Sequence, residues 1–196
     1  DESGAAYTVM RSDLATLSKS PRDLYKAQTL TDKTLSDVAA MQVNDLQFTQ
    51  TDGSWTLTDD PDYPVSQSSI KKMASTILQM QTAWTVTAPE ADTAYGLDSP
   101  DVTAVLTFTD GTSLTVRFGN AVAAAADGSD GDSLCYLASD AAPTVVYEVN
   151  ADSKLAYAVT KESLYEKTAT AETAASDPVA QYPVGGEDDY ADSLPE

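Results

Sequence analysis

The strongest constraint on the fold of this chain is an apolar stripe: Ile70, Met73, Ala74, Ile77 and Leu78 recur at three- and four-residue spacing between two stretches that alternate. A stripe of that period is one face of an amphipathic helix, and alternating neighbours are half-buried strands, so one helix must lie on a sheet. Ser66 is placed as its N-cap, after Asp59 to Pro64, where Asp-Pro and Tyr-Pro steps disfavour helix before each proline. The spacing predicts a helix over about 66–81.

On the N-terminal side, Val38, Ala40, Gln42, Val43, Leu46, Phe48 and Gln50 read as one strand-like stretch, which Asp52-Gly53 turns into Trp55 and Leu57. On the C-terminal side, Trp84 and Val86 resume the alternation and Pro89 ends it. Ala91 to Tyr95 reads as a helical turn closed by Gly96 in a left-handed conformation. Val102, Ala104, Leu106 and Phe108 then share a face with Leu114, Val116 and Phe118 across a hairpin at Asp110-Gly111. Two more short strands are expected near Leu134–Leu137 and Thr144–Val149. A helix over 151–166 would turn Leu155, Val159 and Leu164 inward. The fold class expected is α+β: an antiparallel sheet packed on one main amphipathic helix, with short flanking helices.

Three parts are expected along the chain: residues 1–34, residues 35–167 as the folded domain, and an acidic low-complexity tail at 168–196. The tail holds no Lys or Arg from Thr168 onward and few large apolar groups, a composition that seldom builds a core. Tyr7, Val9, Leu24 and Tyr25 recur as Tyr147, Val149, Leu164 and Tyr165, each 140 residues later. On that offset the N-terminal segment reads as the end of a preceding repeat unit.

Charge and composition exclude several functions. Eleven Lys and Arg against 31 Asp and Glu give a formal charge of −20, a field that repels nucleic acid and anionic lipid heads. With no histidine, the commonest general base and zinc ligand is absent. Cys135, the single cysteine, sits between Leu134 and Tyr136 in a short strand, which reads as a small buried filler without a partner to activate it. No apolar run approaches the roughly 20 residues that span a bilayer, and the first residues lack the features of a signal peptide. The strongly acidic, Thr-rich, Cys-poor composition fits a place outside the bacterial cytoplasm, with any N-terminal anchor outside this chain.

Motifs for chemistry are sparse. Ser68-Ser69-Ile70-Lys71-Lys72 holds the Ser-x-x-Lys spacing twice, but no companion motif of the penicillin-recognising enzymes occurs and these side chains lie off the apolar stripe. Asp127, Asp130 and Asp132, around Gly128 and Gly131, concentrate oxygen ligands of the kind calcium takes; the competing reading is a hairpin tip. No other cofactor is expected. Trp55 and Trp84 sit at apolar strand positions that suit packing better than a sugar platform.

Trp55 follows Asp52-Gly53-Ser54, and Pro61 and Pro64 precede the helix; Tyr95-Gly96-Leu97-Asp98-Ser99-Pro100, Asp110-Gly111, Phe118-Gly119 and Val146-Tyr147-Glu148-Val149 complete the set. In this order the chain resembles the domain-of-unknown-function family 4340 of bacterial surface proteins, over about two thirds of its length. The resemblance implies an extracytoplasmic α+β domain, membrane-anchored or a lipoprotein, some relatives of which accompany ABC-transporter components of the gliding-motility type. It carries no catalytic residues. The signature residues Trp55, Tyr95, Gly96, Leu97, Asp98, Pro100, Gly111 and Gly119 read as scaffold: Gly96 reverses the chain, Leu97 plugs the core, Asp98 caps the turn and Pro100 opens a strand on an edge.

The function expected is therefore a non-catalytic interaction or structural domain at the cell surface, with an unidentified protein partner and no nucleic acid. The alternative is a small-ligand binder or hydrolase that uses carboxylates and some of the ten tyrosines in a cleft.

Overall fold

A computed structural model of the chain describes residue 10 and residues 19–123 and 133–166. Among the described residues eight strands form one antiparallel sheet: β1 (Val38–Val43), β2 (Leu46–Thr51), β3 (Ser54–Leu57), β4 (Thr82–Val86), β5 (Val102–Phe108), β6 (Ser113–Ala121), β7 (Leu134–Ser139) and β8 (Val146–Asn150). Their spatial order is β3-β2-β1-β5-β6-β7-β8-β4, so β4 leaves its neighbours in sequence and closes the far edge. The domain is mostly β. Its one helix longer than a turn among the described residues is α1 (Gln67–Leu78).

Registry explains the core. Met41 lies opposite Phe48 and Leu106, Leu106 opposite Leu114, and Phe118 opposite Leu137. Because strand side chains alternate between faces, these pairs define one inner face. Onto it α1 lowers Ile70, Met73, Ala74, Ile77 and Leu78, all buried, so the helical stripe and the strand alternation meet as expected. Fully burying such a Leu, Ile or Met side chain contributes about 1.5–3 kcal/mol.

Both ends of α1 are shorter or differently held than the period alone suggests. At the start, the Ser66 hydroxyl accepts from Ser69 N at 3.4 Å, and the Glu166 carboxylate accepts from Gln67 N at 3.2 Å. An acid at a helix N-terminus also meets the positive end of the dipole. At the other end the helix stops at Leu78 rather than 81. Gln81 bridges to Thr29, and Thr82 N donates to Gln28 O at 2.9 Å, which draws this stretch into β4 instead.

The free edge of β3 is blocked by a side chain that imitates a peptide. Gln67 Oε1 accepts from Trp55 N at 2.7 Å and Gln67 Nε2 donates to Trp55 O at 2.8 Å. An edge strand closed in this way cannot template another chain at that point. Trp55 itself is buried, and its indole Nε1 is the one buried side-chain polar atom without a partner among the described residues.

Three more expectations change. The stretch 38–50 is two strands, because Asn44 takes a positive φ of 48° and starts a turn; its side-chain Oδ1 then accepts from Thr103 N at 2.9 Å. Asn tolerates this conformation through local hydrogen bonding, so no glycine was needed to make the turn. The region 151–166 is not one helix. It holds a single turn, α2 (Asp152–Leu155), and a 3-10 turn at Glu162–Leu164, while Leu155 is 70% exposed. Between them Tyr157 enters the core and donates its hydroxyl to Met73 O at 2.9 Å. Finally, Pro100 precedes a central strand, since β5 lies between β1 and β6. It stands outside the ladder, so its missing N–H costs no strand hydrogen bond.

Candidate functional site

Signature residues distant in sequence converge at one irregularity of the sheet. Between the pairs Phe118↔Leu137 and Ala121↔Cys135, β6 spends one residue more than β7, a bulge at Gly119-Asn120. Against this bulge sits the turn Asp92–Tyr95, closed by Gly96 at φ 68°. A Cβ on Gly119 would fall on the Tyr95 carbonyl oxygen, nearer than real Cβ atoms come, and one on Gly96 would strike the Asn120 side chain. Two glycines of the signature are thus the two halves of one close approach.

Cations seal the joint. Arg117 Nη1 donates to Leu97 O at 2.6 Å and to the Asp92 carboxylate at 3.1 Å. From the other face, Lys154 donates to Gly119 O at 3.1 Å and pairs with Asp101. The bulge and the turn therefore have their freed carbonyls satisfied, as buried backbone requires. Leu97 is fully buried, and Tyr95 packs edge-on against Tyr136 with ring centroids 4.8 Å apart. With Ala138 and Val146 they make a second, smaller core on the outer face of the sheet. Asp98 does not cap this turn: it is exposed and makes no side-chain hydrogen bond among the described residues.

A second covering lies beside it. Residues Arg22–Tyr25 cross the outer face of β4 and β8, where Arg22 makes a bidentate pair with the buried Glu148 at 2.7 and 2.9 Å. The guanidinium stands 5.0 Å over the Trp84 ring, and Tyr25 packs tilted against the same ring with centroids 5.2 Å apart. Trp84 is thus half-buried under a strap rather than inside the main core. Tyr25 Oη also meets the Thr82 and Thr85 hydroxyls at 2.7 and 2.9 Å. Burial, and next the charge of Glu148, push the Tyr136 hydroxyl above its usual range.

Several hollows stand open among the described residues, and two matter for binding. One, of about 400 Å³, is lined by Asn44, Asp101, Lys154, Leu155, Tyr157 and Val159. Its acid is already paired with Lys154, and the Tyr157 hydroxyl, which burial pushes far above its ordinary pKa, is engaged with Met73. The other, of about 190 Å³, lies on the outer face among Ala40, Gln42, Gln47, Thr49, Val105 and Thr107.

Cys135 is buried, and burial raises its thiol pKa, as expected of a filler. Asp127, Asp130 and Asp132 lie outside the described residues. Among the described residues no group of three or more acids or cysteines is arranged to hold a metal ion, and no helix is long and apolar enough to cross a membrane. Sequence reasoning missed Arg117, Lys154 and Asn120, whose role depends on the bulge. It also missed the Arg22–Glu148 pair, whose members stand 126 residues apart.

The profile of the domain of unknown function DUF4340 matches residues 55–177, more than half of the chain. The chain belongs to the DUF4340 family. The match starts at Trp55 in β3 and takes in α1 and the joint between Gly96 and Gly119, while β1 and β2, which lie before it, belong to the same sheet. No curated protein and no solved structure matches the chain.

Proposed function

We propose that this DUF4340 domain is a non-catalytic interaction module of a bacterial surface protein, held outside the cytoplasm and accessory to an ABC-type transport or gliding-like system. The carrying observation is the half of the outer sheet face that no described residue covers. Ala40, Gln42, Gln47, Thr49, Val105 and Thr107 form an uncharged platform on a protein of net charge −20. The unpaired acids Asp45 and Asp52 stand in the turns at the strand ends, while Asp110 there is paired with Lys33. A surface that lacks charge at its centre and carries one sign at its rim has the layout of a protein interface. The partner it suits is a protein with an amide- and hydroxyl-bearing centre and a basic rim. The acidic, histidine-free composition and the family resemblance support the location.

The test places a photoreactive residue at Gln47 in the native cell. A single adduct of defined mass is expected, absent when Val105→Arg is added and removed by protease supplied outside the cell. An adduct indifferent to Val105→Arg, or none, overturns the platform; an adduct that external protease leaves intact overturns the location.

A second reading, a small-ligand binder, is favoured by the hollow around Leu155, where an exposed leucine stands beside Lys154. That geometry suits an apolar molecule, since Lys154 is already paired with Asp101. A long-chain alcohol that raises the melting temperature of the chain, and fails to do so in Leu155→Asp, would support it.

A further inference from the structure

The two ends of the described chain carry the same turn. Arg22–Leu24 and Glu162–Leu164 are both 3-10 turns, 140 residues apart. The residue before each has nearly the same backbone angles, φ −54° and ψ −32° at Pro21 against −52° and −43° at Lys161. The residue after each is a tyrosine in the same extended conformation, −67° and 132° at Tyr25 against −63° and 123° at Tyr165. Even the reciprocal capping recurs. Ser20 N donates to the Asp23 carboxylate at 2.8 Å and Asp23 N to Ser20 Oγ at 3.3 Å. Correspondingly, Thr160 N donates to Ser163 Oγ at 2.9 Å and Ser163 N to Thr160 Oγ1 at 3.2 Å. The sequence offset of Tyr7, Val9, Leu24 and Tyr25 is this same 140 residues.

Surroundings differ at one telling position. Leu164 is 1% exposed: it plugs the core beside Val65, and its carbonyl accepts from Ser66 N at 2.7 Å. Leu24, its counterpart, is 69% exposed. The opposite side of the Leu24 turn is occupied, because Arg22 and Tyr25 grip Glu148 and Trp84.

We infer that the Ser20–Tyr25 turn is a joint between two copies of this fold in tandem: Leu24 is the core plug of a preceding copy, and Arg22 and Tyr25 dock that copy onto β4 and β8 of this one. The occupant of the exposed Leu24 side is a second copy of the domain, entered at the site that Val65 and the start of α1 form here. One turn then serves two units, which fixes their relative orientation without a flexible linker.

A fused chain tests this: residues 1–159 run directly into residues 20–196, so that one Ser20–Tyr25 turn closes the first copy and straps the second. A single cooperative unfolding transition is expected, at a melting temperature no lower than that of the 196-residue chain. Leu24→Asp in the shared turn should lower it by about 10 °C or more. The same substitution in the 196-residue chain, where the side chain is exposed, should shift it by about 2 °C or less. Aggregation of the fusion, two separate transitions with one below the parent, or equal effects of Leu24→Asp in both settings each overturns the inference. A second variant removes dependence on the fusion. In the 196-residue chain, Thr160→Ser, Lys161→Pro, Glu162→Arg and Ser163→Asp together write the first turn into the second. Folding with a melting temperature within about 5 °C supports interchangeable turns, whereas loss of folding rejects them.

Discussion

The two halves of the outer sheet face have opposite characters. Over β6, β7, β8 and β4 it is covered twice, by the turn at Gly96 and by the strap at Arg22–Tyr25. Over β1, β2 and β5 no described residue covers it, and its side chains are Thr, Gln, Ala and Val. The same sheet thus spends one half on internal stability and offers the other. What separates them is a single extra residue in β6: the bulge at Gly119-Asn120 lets another segment of backbone approach the sheet, and ordinary strand geometry farther along does not. If this contrast is right, substitutions on the covered half should be costly and those on the bare half cheap.

The largest effect is expected at the joint. Gly119→Ala sets a methyl group against the Tyr95 carbonyl, a backbone atom that cannot rotate away. Either β6 straightens or the turn lifts, and lifting exposes Leu97 and Tyr95. Overpacking and lost burial together should destabilise by about 3 kcal/mol, read as a fall in the urea midpoint. Gly96→Val meets the Asn120 side chain, which can move, but also requires a β-branched residue at φ 68°. About 2–3 kcal/mol is expected there. A Gly119→Ala protein as stable as the parent would show that the covering turn contributes little.

Next comes the strap. Glu148 is buried and its carboxylate is held by Arg22, whose own side chain is about half exposed. Arg22→Ala leaves a buried carboxylate without that partner, a change that costs several kcal/mol when both members are enclosed and less when one faces water. About 1–2 kcal/mol is expected, with Arg22→Lys recovering only part because one ammonium cannot reproduce the bidentate geometry. Restoring stability in the double variant Arg22→Ala, Glu148→Gln would locate the loss in the unpaired charge; no recovery would place it in the packing over Trp84.

How legible this contrast was follows from the range of the signals. The stripe of α1, the strand alternation and the hairpins at Gly53 and Gly111 are local patterns, and they appear where expected because period and turn chemistry decide them. The joint was half legible. Gly96 announced a left-handed turn, but nothing near Gly119 in the chain reveals that its missing Cβ makes room for Tyr95. That reason exists only once β6 bulges. The misreading of 151–166 has the same root: Leu155, Val159 and Leu164 are helically spaced, yet Tyr157 reaches Met73 across the core, a contact that spacing along the chain does not reveal. The turn at Asn44 was hidden because Asn does the work usually signalled by Gly.

The bare half supplies the smallest effects. At the β5–β6 hairpin Gly111 has φ 82°, like Gly96 positive, but a Cβ there would meet nothing within 4 Å. Gly111→Ala should therefore cost only the backbone preference, about 1 kcal/mol, a third of the effect at Gly119. The neighbouring Asp110 adds a pH dependence. The Lys33 ammonium at 2.5 Å, with Thr112, holds its carboxyl far below the usual carboxylate range. A carboxyl whose folded pKa is depressed stabilises the fold above its ordinary pKa and loses that contribution as pH falls toward the folded value. Stability should therefore decline on acidification below about pH 4, and Asp110→Asn should flatten that decline slightly while leaving neutral-pH stability almost unchanged. Because both partners of the pair meet water, the change must be small; a large one would mean that the hairpin tip is held as firmly as the joint, and the contrast between the two halves would fail.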